Sequence, residues 1–280
     1  MTYILQRLKG VIQIKGDILV HGDGLEHNNN LQVLIKRLHE YGIRLRREKC
    51  KFGQQSIMWF GHIFSKQGMS PDPAKVAHIK AWPAPQNKDK VKSFLQTVQF
   101  VAAYMRSDHG TPHASVTAPL RKLSHNHVRF EWTKECQATF EELKSRLSDK
   151  TVLVPYLPHL ETRPYVDHGP EGITSTVAQH HKESKNPGWK AVHHKSRSPI
   201  PAERNYSKPE GESLAKYSGI KMNKQYLYGT PFTVMPDHSA LPSLYNMNRP
   251  APHRVERHRG RLGSFQFRVQ YVPGNKHPCD

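Results

Sequence analysis

The chain is 280 residues long and carries 42 Lys+Arg against 23 Asp+Glu, a formal charge of +19 that leaves 19 histidines uncounted. That length suits about two domains, and that excess points to a polyanionic partner, nucleic acid or an anionic membrane surface. No apolar run approaches the ~20 residues that cross a bilayer. The opening Met-Thr-Tyr-Ile-Leu-Gln-Arg lacks the basic-then-apolar order of a secretory signal. Three scattered cysteines, Cys50, Cys136 and Cys279, build neither a disulfide framework nor a CxxC zinc pair. The expectation is a cytoplasmic or nuclear protein with reduced thiols and no membrane partner.

In chain order, residues 11–14 and 18–20 read as two short strands around Lys15-Gly16-Asp17, a hairpin. Leu31, Leu34, Ile35 and Leu38 share one face of a helix that Gly42 closes. Residues 56–64 read as a strand pair, with Gly68 turning the chain, so that a first unit runs to about residue 70. Pro71-Asp72-Pro73 opens a second unit with a short helix around Val76 and Ile79, stopped by Pro83 and Pro85. A second helical stripe runs through Val91, Phe94, Leu95, Val98 and Val101. Residues 109–160 read as a connector with one clear helix, carried by Cys136, Phe140, Leu143 and Leu147. Beyond it, strands are predicted over 164–167, 173–178, 189–193 and 231–235, a helix near 207–224, and a strictly alternating strand over 265–272. This order gives an α/β class, a sheet with helices packed on it.

Several short motifs recur in one order. Leu8-Lys9-Gly10-Val11 through Asp17-Ile18-Leu19-Val20-His21-Gly22 is followed by Lys49-Cys50-Lys51-Phe52, Trp59-Phe60-Gly61-His62-Ile63 and Gly68-Met69-Ser70-Pro71. Ser93-Phe94-Leu95, Ala118-Pro119-Leu120, Phe130-Glu131-Trp132 and Ala138-Thr139-Phe140-Glu141-Glu142-Leu143-Lys144 continue it. Tyr165-Val166-Asp167, Glu212-Ser213-Leu214-Ala215, Tyr226-Leu227-Tyr228-Gly229, Asp237-His238-Ser239-Ala240-Leu241 and Tyr271-Val272-Pro273-Gly274-Asn275 complete it. From residue 8 to residue 280 the chain resembles a fragment of the Pol polyprotein of Gypsy-type (Metaviridae) long-terminal-repeat retrotransposons. The resemblance implies the C-terminal part of a reverse transcriptase palm (1–70), thumb-like helices (71–108), a connection (109–160) and a ribonuclease H-like mixed-sheet domain with flanking helices (161–280), truncated at its C-terminus.

Two chemistries follow from that resemblance. In the family, two adjacent aspartates on the hairpin help to hold two polymerase metal ions, one at the attacking and one at the leaving oxygen. The matching positions are Gly16 and Asp17, so one carboxylate is lost beside the positive charge of Lys15, and the strand bearing a third aspartate would precede this chain. Polymerase activity is not expected. The ribonuclease H site, in contrast, retains all four acid types: Asp167, Glu212, Asp237 and Asp280 match the carboxylates that hold two Mg²⁺ (or Mn²⁺) ions and cleave the RNA strand of an RNA–DNA hybrid. Hard oxygen ligands are what Mg²⁺ requires. Four departures bear on that site. His168 stands where the family has a small residue, and Pro236 precedes Asp237. Gly211 lies in the first turn of the helix carrying Glu212, and Asp280 is the last residue.

Basic residues cluster at Arg44, Arg46, Arg47, Lys49 and Lys51, and again at His253, Arg254, Arg257, Arg259 and Arg261. Two such runs suit phosphate binding, with Trp59 at the position where the family grips a primer. The pairs His180-His181 and His193-His194 do not read as zinc sites, because neighbours on a strand point to opposite faces. Two readings stay open: a metal-dependent enzyme that cuts RNA–DNA hybrids, and a catalytically inactive remnant that only binds RNA–DNA hybrid or other nucleic acid.

Overall fold

A computed structural model describes residues 2–14, 16–105, 113–147, 152–183, 187–236, 241–246 and 250–273, and the chain divides into two compact units, Met1–Gln54 and Gln55–Asp280.

The first unit holds α1 (Thr2–Leu5), β1 (Val11–Ile14), β2 (Asp17–Val20) and α2 (Leu25–Glu40). β1 and β2 form the expected antiparallel hairpin, with Ile14 opposite Asp17. Gly42 takes a φ of +66° just beyond α2, the left-handed turn that only glycine adopts without steric cost. Leu5, Leu34 and Leu38 make the small core. Ile35, expected on the buried face, is 49% exposed. The buried stripe of α2 instead runs through Asn30, Leu34 and Leu38, which turns Ile35 outward, and Asn30 Nδ2 donates to the His21 carbonyl at 3.0 Å.

The second unit opens with a three-stranded meander, β3 (Ser56–Trp59), β4 (His62–Ser65) and β5 (Gly68–Pro71). Gly68, expected only to turn the chain, begins β5. Among the described residues the α-helices that follow are α3 (Pro73–Lys80), α4 (Lys88–Val101), α5 (His113–Val116), α6 (Ala118–Leu123) and α7 (Lys134–Ser145). Side-chain oxygens cap three of them: Asp72 accepts from Ala74 N (2.9 Å), Asn87 from Lys90 N (2.9 Å) and Thr133 from Cys136 N (3.2 Å). These helices share one core, in which Val76, Ile79, Val91, Phe94, Leu120, Phe140 and Leu143 are buried together. The Phe94 and Phe140 rings lie 4.6 Å apart. Each such side chain contributes on the order of 1.5–3 kcal/mol by leaving water. The sequence shows α7 but not α5 and α6, whose four and six residues are too short for an apolar period.

The remaining elements are β6 (Thr162–His168), β7 (Ile173–His181), β8 (Gly188–Arg197), α8 (Lys208–Met222), α9 (Lys224–Leu227), β9 (Phe232–Pro236), α10 (Leu241–Leu244), α11 (His253–Arg261) and β10 (Phe267–Val269). They build a mixed five-stranded sheet in the order β10-β9-β6-β7-β8, with β6, β7 and β8 antiparallel to one another and β10, β9 and β6 parallel. The alternating stretch 265–272 is a strand only over Phe267–Val269, although Gln270 N and Val272 N still donate to Val234 O and Pro236 O at 3.0 Å each. Residues 153–154 bridge the two sheets: Leu153 exchanges both backbone bonds with Met69 at 2.8 Å, and Val154 N donates to Ala191 O at 2.9 Å. α8 is buried almost all round, from Gly211 to Ile220, so it shows no polar stripe.

Candidate nucleic-acid interface and carboxylate site

Asp167 is the penultimate residue of β6, half-buried and in register with Thr174 of β7. Glu212 lies early in α8 and is 4% exposed. A capping box fixes the start of that helix, with the Glu210 carboxylate accepting from Ser207 N at 3.0 Å and Ser207 Oγ at 2.8 Å. α8 then runs along β6. A Cβ on Gly219 would meet Val166 Cγ1 at 2.6 Å, and one on Gly211 would meet His168 Cε1 at 2.5 Å. Since 168 touches 211, their chain neighbours Asp167 and Glu212 come to the same end of the sheet. Pro236, at the end of the adjacent parallel strand β9, stands opposite Val166. Asp237 and Asp280 lie outside the described residues.

The donor chemistry suits a hard divalent cation, since both described members of the expected set are carboxylates. Among the described residues no three His, Cys, Asp or Glu side chains form a metal-holding group. Beside this end of the sheet, burial holds the His168 imidazole below its ordinary value, with Glu203 raising and Arg197 lowering it further. Arg197 grips Glu203 with two bonds of 2.7 and 3.0 Å and donates to Ser218 Oγ at 2.7 Å. Burial would raise the Glu203 carboxyl, but these bonds outweigh it and hold the group below its usual range.

In the first unit, Gly16 and Asp17 are both exposed on the hairpin. A Cβ on Gly16 would touch nothing within 4 Å, so no packing demand placed glycine there. Lys15 lies outside the described residues.

Arg44, Arg46 and Arg47 are exposed along an extended stretch that ends in a 3₁₀ turn at Arg47–Lys49. In the second unit, Arg254 and Arg257 are exposed on α11. Arg254 binds Glu210 at 2.9 Å and lies over the Tyr206 ring at 4.6 Å, which ties the basic helix to the capped start of α8. Arg259, expected in the same basic run, is instead buried. It holds the Leu244 and Asn246 carbonyls and Glu256, because Val255, His258, Arg259 and Leu262 form the inward stripe of α11. Trp59 is half-buried, with its ring edge-on to Phe60 at 5.2 Å and Phe64 at 6.0 Å.

Sequence reasoning missed a buried polar group inside α8. The Lys216 side chain is fully enclosed, lies over the Tyr245 and Phe267 rings, and is held well below its ordinary value by burial and then by Arg259. Next to it, Ser213 Oγ bonds Tyr245 Oη at 2.8 Å and His258 Nδ1 at 2.9 Å. Nothing in the local pattern announces these contacts, which join residues 32 and 45 positions apart.

Residues 132–234 match the family described as "RNase H-like domain found in reverse transcriptase". The chain is 29% identical over 252 residues to the Retrovirus-related Pol polyprotein from transposon 412 of Drosophila melanogaster, covering 90% of this chain and 20% of the relative. Against the Transposon Tf2-3 polyprotein of Schizosaccharomyces pombe it is 25% identical over 249 residues, covering 86% of this chain and 18% of the relative. It thus spans about a fifth of the length of these curated relatives. Among solved structures, the foamy viral protease-reverse transcriptase in complex with RNA/DNA hybrid superimposes with a TM-score of 0.77 at 16% identity, over 98% of this chain and 37% of that one. The same enzyme in complex with dsDNA gives 0.77 at 17% identity, over 98% and 56%. The α/β fold and the kinship with retroelement Pol polyproteins expected from the motifs are both borne out.

Proposed function

We propose that this chain, a relative of the Pol polyproteins of long-terminal-repeat retrotransposons, binds RNA–DNA hybrid and hydrolyses its RNA strand. The observation that carries the reading is the meeting of β6 and α8, which brings Asp167 and Glu212 to one end of a sheet that falls within the matched ribonuclease H-like region. The foamy viral enzyme of the same fold, captured with dsDNA and with RNA/DNA hybrid, supports a nucleic-acid partner. So does the net charge of +19.

In this reading Asp167, Glu212, Asp237 and Asp280 would hold Mg²⁺ or Mn²⁺. The ions would supply charge neutralisation and an activated water for phosphodiester hydrolysis. The chain's own residues orient the hybrid. Arg254 and Arg257 on α11, and Arg44, Arg46 and Arg47 in the first unit, contact phosphate oxygens and fix position without reading bases. The loss of an acid at Gly16 argues against DNA synthesis. Residues 1–70 then descend from a palm, 71–108 from a thumb, 109–160 from a connection and 161–280 from the nuclease.

The test is cleavage of an end-labelled RNA–DNA hybrid in Mg²⁺ or Mn²⁺, with Asp167→Asn alongside. Metal-dependent cutting that the substitution abolishes, with hybrid affinity retained, is the expected result. Salt-sensitive binding without cutting in either protein would leave the inactive nucleic-acid binder as the correct reading.

A further inference from the structure

Within the second unit, where β4 and the end of α4 approach β7 and β8, lies a cavity of about 450 Å³. That volume is in the range of pockets that take small organic molecules. Phe100, Met69, Met105 and Met222 give it an apolar wall. Polar groups converge on the remainder. His62 Nδ1 pairs with Tyr104 Oη at 2.7 Å, and Thr176 Oγ1 pairs with His194 Nδ1 at 2.7 Å. His113 Nδ1 is buried with no hydrogen-bond partner. Lys195 Nζ donates to the Met222 carbonyl at 2.7 Å.

The charge on this lining is one-sided. Among the described lining residues none is Asp or Glu, and no described carboxylate pairs with Lys195. Burial holds Lys195 below its ordinary value. Burial, then Arg121 and Arg146, bring His113 down to about 4. Among the described residues no carboxylate stands beside the partly desolvated Lys195 ammonium, and the neutral His113 imidazole has an unpartnered Nδ1 able to donate, so the lining suits an anionic oxygen. The apolar wall of Phe100, Met69, Met105 and Met222 suits a hydrophobic body on the rest of that ligand, and an aryl ring is one that packs well against Phe and Met.

We propose that this cavity binds a small organic anion with a flat apolar body, an aryl carboxylate, with its charge toward Lys195 and its ring against Phe100 and the methionines. The proposal stands apart from the nucleic-acid reading, since none of these residues belongs to the carboxylate site or to the basic clusters.

Calorimetric titration of the full chain with 2-naphthoate tests it, beside the neutral isostere 2-naphthamide. Naphthoate should saturate one site and the amide should bind about tenfold more weakly, the loss of one charge-assisted hydrogen bond. Lys195→Met should weaken naphthoate by about the same factor and leave the amide unchanged. Ala103→Trp should fill the cavity and remove both, with the circular dichroism spectrum unchanged; if that variant does not fold, Ala103→Leu makes the same steric test. Equal affinity for acid and amide, an unchanged naphthoate affinity in Lys195→Met, or the lack of saturable binding would each overturn the proposal.

Discussion

The His168 imidazole occupies the space that a side chain at position 211 would need: a Cβ on Gly211 would lie 2.5 Å from His168 Cε1 and 2.7 Å from Nδ1. These two residues, one after Asp167 and one before Glu212, are among those expected from the resemblance to differ from the family pattern, and they fit each other. A bulky residue stands at the end of β6, and the facing helix presents glycine there. The pairing leaves α8 seated on the sheet with the two acids at one end of it.

This fit predicts strong coupling. Gly211→Ala should destabilise the second unit by about 1–3 kcal/mol, the usual cost of overpacking, despite the better helix propensity of alanine. In the background of His168→Ala the same substitution should be neutral or stabilising. Urea unfolding of the four proteins gives the cycle, and additive effects would show that the two residues do not share space.

The buried Lys216 is a liability. Its amine has lost its water for two aromatic faces, so Lys216→Met should raise the unfolding midpoint. Because the folded group lies below its unfolded value of 10.5, the unfolded chain binds more protons across that interval. Stability contributed here is complete only above the unfolded value and is lost as pH falls. The wild-type midpoint should therefore climb as the pH rises toward 10.5, and Lys216→Met should flatten the climb. An equal slope in both proteins would assign it to other groups.

Acid should also unfold the second unit early. Burial holds His113, His193 and His258 near 4, against an ordinary 6.5. Between those values the unfolded chain takes up protons that the folded chain refuses, so stability is full above 6.5 and declines toward 4. Replacing His193 with Phe, in contact with Tyr226, should shallow that decline in a thermal-melt series. A pH-independent midpoint over this range would contradict the burial of these rings.

Phosphate contacts carry a distinct signature. Arg44, Arg46 and Arg47 changed together to Ala should weaken hybrid and duplex binding alike and lower the slope of log K against log salt by about 0.9 per lost contact. Arg254→Ala should add a stability cost, because its partner Glu210 also caps α8. An unchanged salt slope in the triple variant would remove the first cluster from the interface.

Much of the fold is legible in the amino-acid sequence alone. The β1–β2 hairpin announces itself through two short apolar runs around Lys15-Gly16-Asp17, and α2, α4 and α7 through apolar spacing. Strands β6 to β9 and helix α8 fall where their patterns place them. β6, β7 and β8 run longer than those patterns, because ladders extend as far as a neighbour supplies partners, whereas β9 keeps its expected length. In the sequence α11 shows only as a charge run, since its inward stripe contains His258 and Arg259, polar residues whose burial depends on Ser213, Leu244 and Asn246 elsewhere in the chain.

By itself the sequence determined the class of fold, the kinship with retroelement polyproteins, the strong positive charge and the identity of the acids at Asp167 and Glu212. Those properties are local: side-chain periodicity, short ordered motifs and formal charge survive in a one-dimensional string. Only the tertiary structure decided that His168 and Gly211 share one volume, that Lys216 is enclosed, that Arg259 faces inward while Arg254 stays exposed, and that Leu153 joins the meander to the five-stranded sheet through Met69 and Val154. Each of these is a contact between residues distant in the chain, fixed by packing density and hydrogen-bond satisfaction in the folded interior, where no local pattern records which neighbour will arrive.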